Sequence, residues 1–189
     1  MALTYTPAPQ LGAKAKDFSL KGVDGKTYTL KDVTGKKGTL VMFICNHCPF
    51  VKAIAGRLAE DMKVLQSKGI GVVAIMSNDT VSHPEDSFDN MKKFSHNHGF
   101  TFPYVIDETQ SVAKSYGAVC TPDFFGYNAA GELQFRGRLD EVNPSKPATP
   151  ETKKELLEAM LLIAETGKGP AQQTPSMGCN IKWKNATAA

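Results

Sequence analysis

Residues 39–76 read TLVMFICNHCPFVKAIAGRLAEDMKVLQSKGIGVVAIM. The opening run, TLVMFI at 39–44, is apolar without alternation, the pattern of a strand covered on both faces of a sheet with parallel members. From Pro49 the apolar positions Val51, Ile54, Leu58, Met62 and Leu65 recur every three or four residues. That spacing marks one face of a helix running to about Ser67 and ended by Gly69. Residues 71–76, GVVAIM, are a second buried strand. Strand, helix and strand in this order predict a β-α-β unit with a right-handed crossover and parallel strands.

Outward from this unit, residues 18–30 around Asp24-Gly25 predict a β-hairpin. The Pro-rich segment 1–13 reads as a flexible arm. A helix is expected over 84–96, with Pro84 in its first turn and Met91 and Phe94 on its apolar side. A strand at 104–106 and a short helix over 110–116 follow. Residues 123–127 and 132–137 flank a four-residue loop and predict an antiparallel pair. A last helix is expected over 151–166, with Leu156, Leu157, Met160, Leu161 and Ile163 on one side, stopped by Gly167 and Pro170. The expected fold class is therefore α/β: one domain over 14–169 with a central mixed sheet flanked by helices, an N-terminal hairpin extension and an irregular tail over 170–189.

The 189 residues, 41% hydrophobic and 22% charged, suffice for one core. Basic and acidic residues, 22 against 19, are spread along the chain with no basic stripe, so no nucleic-acid surface is expected. No run approaches the roughly 18 apolar residues of a membrane helix, and the first residues lack a secretory pattern, so a cytoplasmic, membrane-free protein is expected.

The four cysteines are Cys45, Cys48, Cys120 and Cys179. Cys45 and Cys48 form a C-x-x-C pair at a strand-to-helix junction. There the unpaired amides and dipole of the helix N-terminus favour a thiolate, expected at Cys45, and Cys48 one turn later is placed to resolve a mixed disulfide. His47 between them, as an imidazolium or donor, would further favour the Cys45 thiolate and make the pair more oxidising. The competing reading is half of a metal site, with His96 and His98 as the other half, although no second C-x-x-C exists. A simple pair of buried thiols is the other alternative.

FICNHCPFVKA at 43–53, DETQSVAKSYGAVCTPD at 107–123, FRGRLDE at 135–141 and GCNIKWK at 178–184 together resemble the thioredoxin-like, peroxiredoxin-like proteins of the alkyl hydroperoxide reductase and thiol-specific antioxidant superfamily. The resemblance implies a thioredoxin fold in which Pro122 is a cis-proline against the cysteine pair. It also implies that the Thr121 backbone offers hydrogen bonds to an extended substrate, and that the tail bearing Cys179 and Trp183 packs back on the domain. Two departures stand out. Thioredoxins place a buried Asp six residues before the first cysteine, where this chain has Thr39. Peroxiredoxins place a Thr three residues before the peroxidatic cysteine, where Val41, Met42, Phe43 and Ile44 precede Cys45.

Arg138 could be the cation of a peroxidase but reads as a surface residue. Cys120 reads as a small buried hydrophobe rather than a resolving thiol, Cys179 as packing with its redox role open, and His83 as a loop residue without function. The expected activity is a thiol-disulfide oxidoreductase with Cys45, His47, Cys48, Thr121 and Pro122 at its site and no bound cofactor. Its partners would be a protein or small-molecule disulfide and a thiol reductant that recycles the pair. The alternatives are a thiol peroxidase reducing hydroperoxides at Cys45 and a metal-carrying protein holding its ion through Cys45, Cys48 and a distant His. The sequence gives no indication of oligomeric state.

Overall fold

A computed structural model describes residues 3–184. Its first half contains β1 (Leu3–Tyr5), β2 (Ser19–Gly22), β3 (Thr27–Thr29), α1 (Leu30–Val33), β4 (Gly38–Phe43), α2 (Pro49–Ser67), β5 (Ile70–Met76), a 3-10 turn (Pro84–Asp86) and α3 (Phe88–Asn97). The second half adds β6 (Tyr104–Ile106), α4 (Ser111–Tyr116), β7 (Cys120–Thr121), β8 (Asp123–Asn128), β9 (Leu133–Phe135), α5 (Glu155–Thr166) and β10 (Met177–Asn180).

Strands β1-β10-β7 form one small sheet; the others form a group ordered β3-β2-β6-β5 and a group ordered β4-β8-β9. The two meet where the Ile44 amide donates to the Ile75 carbonyl at 3.1 Å. β5 and β6 run parallel, while β2-β3, β2-β6, β4-β8 and β8-β9 are antiparallel, so the sheet is mixed. This is the thioredoxin fold that the resemblance implies.

All six residues of β4 are buried, and their alternation explains why. Leu40, Met42 and Ile44 face a core built with Ile54, Leu58 and Met62 of α2 and Leu156, Met160 and Ile163 of α5. Val41 and Phe43 face the opposite core, with Val112 and Tyr116 of α4 and Phe125 of β8. Successive side chains of a strand point to opposite faces, so a strand covered on both sides must be apolar throughout. Each such fully buried side chain stabilises the fold by about 1.5–3 kcal/mol. α2 begins with Pro49 in its first turn, where the missing N–H costs nothing, and ends before Gly69, whose φ of +82° suits a residue without a Cβ.

Five expectations differ from the structure, the first being that the tail expected to be irregular contains β10, paired with β1 and β7. The hairpin is no appendage, because β2 pairs with β6 as well as β3. The arm expected to be flexible contains β1, which pairs in antiparallel register with β10 (Leu3 opposite Cys179); the first two arm residues, and 185–189 of the tail, lie outside the described residues. The helix expected over 84–96 is broken at Ser87, whose ψ of 154° is extended, into the 3-10 turn and α3. The last helix starts at Glu155 rather than 151, because Thr152 Oγ1 accepts from the Thr149 amide and closes a turn there instead.

Candidate redox site

β4 delivers Cys45 at its C-terminal edge, and α2 begins immediately after Cys48. α2 starts at Pro49 as expected, and with Cys48 as its N-cap the first-turn amides open toward the second sulfur rather than toward Cys45. The Cys48 sulfur also lies 3.2 Å from the Thr121 carbonyl and 3.0 Å from Cys179 Sγ. As a thiol it donates to the carbonyl. As a thiolate it accepts from its neighbours, and its pKa is drawn down to about 5, first by the hydrogen bond from Cys45 and then by those from Cys179 and the Val51 amide, against burial. Cys45 is the donor of that first bond and is pushed the other way, well above the ordinary thiol value, with burial and the Asp86 carboxylate adding to the rise. The hydrogen bonding around the pair thus favours the thiolate at Cys48 over Cys45. Both sulfurs are fully buried.

The Thr121-Pro122 bond is cis, and Thr121 Oγ1 lies 3.3 Å from Cys45 Sγ. A hydroxyl therefore does reach Cys45, from β7 rather than from the strand before it. The Thr121 backbone is not open to a substrate strand as expected, because β10 pairs with β7 and places Cys179 opposite Thr121. Gly178 makes that approach possible: a Cβ there would stand 2.0 Å from the Thr121 carbonyl oxygen.

His47 is also placed differently from expectation. Its Nδ1 is 2.6 Å from Asp86 Oδ2 and 3.9 Å from Cys45 Sγ, so its polar atom is committed to the carboxylate. Asp86 is fully buried and is the residue that sequence reading missed. Its Oδ1 accepts from the Asn46 amide at 2.8 Å and the His47 amide at 3.1 Å, and its Oδ2 accepts from Asn78 Nδ2 at 2.8 Å. Asn46 Oδ1 in turn accepts from the buried Tyr104 hydroxyl at 2.9 Å. The peptide between the cysteines is thereby fixed by side chains from the 3-10 turn, β6 and the segment after β5. This explains the break at Ser87: a continuous helix would serve its own backbone, whereas the turn aims Asp86 inward. The only sequence signal was an acidic residue two positions after Pro84, which is also an ordinary helix start. Thr39, at the position of the thioredoxin Asp, faces elsewhere and accepts from the Gly35 amide.

His83, to which no role was assigned, stacks on His47 with ring centroids 5.2 Å apart. The tail closes the same network. The Lys182 amide donates to Asn78 Oδ1, and Gln110 donates to the Ser77 and Lys182 carbonyls while accepting from the Lys184 amide. Gln110 holds a left-handed φ of 62°, a strained conformation that those three bonds secure.

Other candidates stand apart from the sulfurs. Arg138 forms a forked pair with Glu155 and faces that carboxylate, not Cys45. The Cys120 sulfur is 3.7 Å from the Pro122 carbonyl, and burial raises its pKa. His96 and His98 do not join the pair. Among the described residues the one cluster of metal-ligating atoms is Cys45, His47 and Asp86, within 4.8 Å of one another. The imidazole nitrogen and carboxylate of that set already bond each other, so an ion would have to displace that contact. A cavity of about 280 Å³ opens beside Pro122, lined also by Tyr5, Phe50, Ile54, Arg138 and Met177. No helix among the described residues is long and apolar enough to cross a membrane.

The sequence profile of the AhpC/TSA family matches residues 11–136. The crystal structure of an uncharacterized conserved protein from Geobacillus kaustophilus is 42% identical, with a TM-score of 0.92, covering 98% of each chain. The thiol-disulfide oxidoreductase ResA of Geobacillus thermodenitrificans is 28% identical over 131 residues, 69% of this chain and 71% of that protein. The thioredoxin domain of a thiol-disulfide oxidoreductase from Bacteroides vulgatus shares the fold, with a TM-score of 0.58 at 18% identity over 74% of this chain and 93% of that domain.

Proposed function

The chain belongs to the AhpC/TSA family, and we propose that within it this protein is a thiol-disulfide oxidoreductase whose Cys45 and Cys48 exchange two electrons with a protein or small-molecule disulfide. The observation that carries this reading is that both sulfurs of the C-x-x-C pair meet the residue before the cis Thr121-Pro122 bond, Cys45 Sγ 3.3 Å from the Thr121 hydroxyl and Cys48 Sγ 3.2 Å from its carbonyl. ResA, a thiol-disulfide oxidoreductase by name, supports the same chemistry.

Cys48 serves as the local base. As Cys45 attacks a substrate sulfur, its proton passes to the Cys48 thiolate, the substrate disulfide breaks, and the leaving thiolate takes that proton. Cys48, a thiolate again, attacks Cys45 in the mixed disulfide. The Cys45-Cys48 bond forms, and the second substrate thiolate leaves and is protonated from water. Asp86 and Asn46 hold the peptide between the sulfurs in the geometry for this exchange, while a thiol reductant reverses it to recycle the pair. The cavity beside Pro122, with an apolar side at Phe50, Ile54 and Met177 and a polar one at Arg138, is the natural seat for the substrate segment flanking its disulfide. The test is a trap: Cys48→Ser mixed with a disulfide-bonded peptide should accumulate a covalent mixed disulfide at Cys45, formed slowly for want of its base and faster as pH rises, and Cys45→Ser should abolish turnover. Undiminished turnover in Cys45→Ser would reject the reading.

One observation favours a second reading, a thiol peroxidase: the Thr121 hydroxyl, 3.3 Å from Cys45, could orient a hydroperoxide. It predicts a sulfenic acid at Cys45 on peroxide exposure, trapped by dimedone. The raised Cys45 pKa and the commitment of Arg138 to Glu155 weigh against it.

A further inference from the structure

Of the two cysteines outside the C-x-x-C pair, only Cys179 is in sulfur contact with it. Its Sγ lies 3.0 Å from Cys48 Sγ, so about 1 Å of closure separates the two from a bonded sulfur–sulfur distance of about 2.0 Å. The contact is built into the strand pairing. β10 sets Cys179 opposite Thr121 on one side and Leu3 on the other, and Gly178 has no side chain that would hold β10 away from the Thr121 carbonyl. The hydrogen bonds of Asn78 and Gln110 to the tail anchor the same strand from its far end. Cys48 therefore has a possible bonding partner on each side, Cys45 toward the substrate and Cys179 toward the tail.

We infer that Cys179 is a third redox thiol, which takes the disulfide from the Cys45-Cys48 pair and moves it inward. This rests on the oxidoreductase reading above. In the step, the Cys179 sulfur attacks Cys48 Sγ, the Cys48-Cys179 bond forms, the Cys45-Cys48 bond breaks, and the proton lost by Cys179 ends on the released Cys45 sulfur. No electron enters or leaves, so no further oxidant is needed. The result is a Cys45 thiol regenerated at the substrate side while the oxidising equivalent is held behind it. In the reduced protein burial and the bond to Cys48 raise the pKa of Cys179, so it rests there as a thiol.

The full-length reduced protein, treated with substoichiometric diamide, quenched in acid, alkylated and digested with trypsin, tests this. No Lys or Arg lies between Cys45 and Cys48, so their disulfide stays within one peptide, whereas a Cys48-Cys179 disulfide joins two. Both species are expected from the wild-type chain. The cross-peptide species should rise several-fold in Cys45→Ser, which removes the competitor for Cys48, and vanish in Cys179→Ser, which keeps the intrapeptide bond. Absence of the cross-peptide disulfide from oxidised wild type overturns the inference. A yield in Cys45→Ser no higher than in wild type does so equally. The wild-type measurement stands even should a variant fold poorly. An intrapeptide disulfide without the cross-peptide one leaves the oxidoreductase reading intact; loss of both removes it as well.

Discussion

Asp86→Ala is the sharpest probe of how the site is held. The fully buried carboxylate accepts four hydrogen bonds, and alanine leaves every donor without its acceptor. The Asn46 amide and Asn78 Nδ2 face a buried space, and a buried unsatisfied donor costs about 1–3 kcal/mol each. The His47 amide and ring are partly exposed and can turn to water, so they add less. The sum is about 3 kcal/mol. For a chain of this size each kcal/mol lowers Tm by about 2–4 °C, which predicts a fall of about 6–12 °C by differential scanning calorimetry on the reduced protein. Asp86→Asn keeps Oδ1 for the two backbone amides but turns an amide toward Asn78 and His47, so about half that loss is expected. Both variants should also slow disulfide reduction, because the peptide between the sulfurs loses its anchor. A Tm change under about 2 °C in Asp86→Ala would refute the reasoning, since it would show that the four donors find other partners.

Thiolate absorbance at 240 nm in the reduced protein should rise by one equivalent as pH increases through about 5; the step should vanish in Cys48→Ser and move upward in Cys45→Ala, which has no donor at that position. A single step at the ordinary thiol value of about 8.5 would contradict this assignment. Gly178→Val places a Cβ against the Thr121 carbonyl, so β10 should be displaced at a loss of about 1–3 kcal/mol, and alkylation of the buried sulfurs should accelerate; unchanged alkylation kinetics would count against β10 as their cover. Leu58→Ala, at a fully buried position on α2, should lower stability by about 2–5 kcal/mol in urea unfolding while leaving the potential of the cysteine pair unchanged.

The β-α-β unit was legible because β4 and β5 are buried on both faces and α2 on one, and each of those burial patterns has its own sequence period. Cys45 and Cys48 were legible because a short-range motif encodes a short-range contact. The rest of the site depends on contacts between distant segments. Asp86 reaches the cysteine peptide across 39 residues and Cys179 reaches Cys48 across 131, and neither has any local pattern to mark it. The thiolate was expected at Cys45, whereas the hydrogen bonds around the pair favour Cys48. The motif gives the order of the cysteines, and the helix start expected at Pro49 already makes Cys48 rather than Cys45 the cap. His47 was expected to act on Cys45, and the unseen carboxylate claimed it. The N-terminal segment looked like a free arm because three residues give no period, and its partner strand lies at the other end of the chain.

The equilibrium between the dithiol and disulfide forms of Cys45 and Cys48, measured in glutathione buffers with thiol trapping, tests the central claim most directly. Known pairs of this kind span about −270 to −120 mV, and stabilisation of the reduced form as the Cys48 thiolate predicts a two-electron transition on the oxidising side of −270 mV. A chain in which no disulfide involving Cys45 and Cys48 forms at any accessible potential would contradict it.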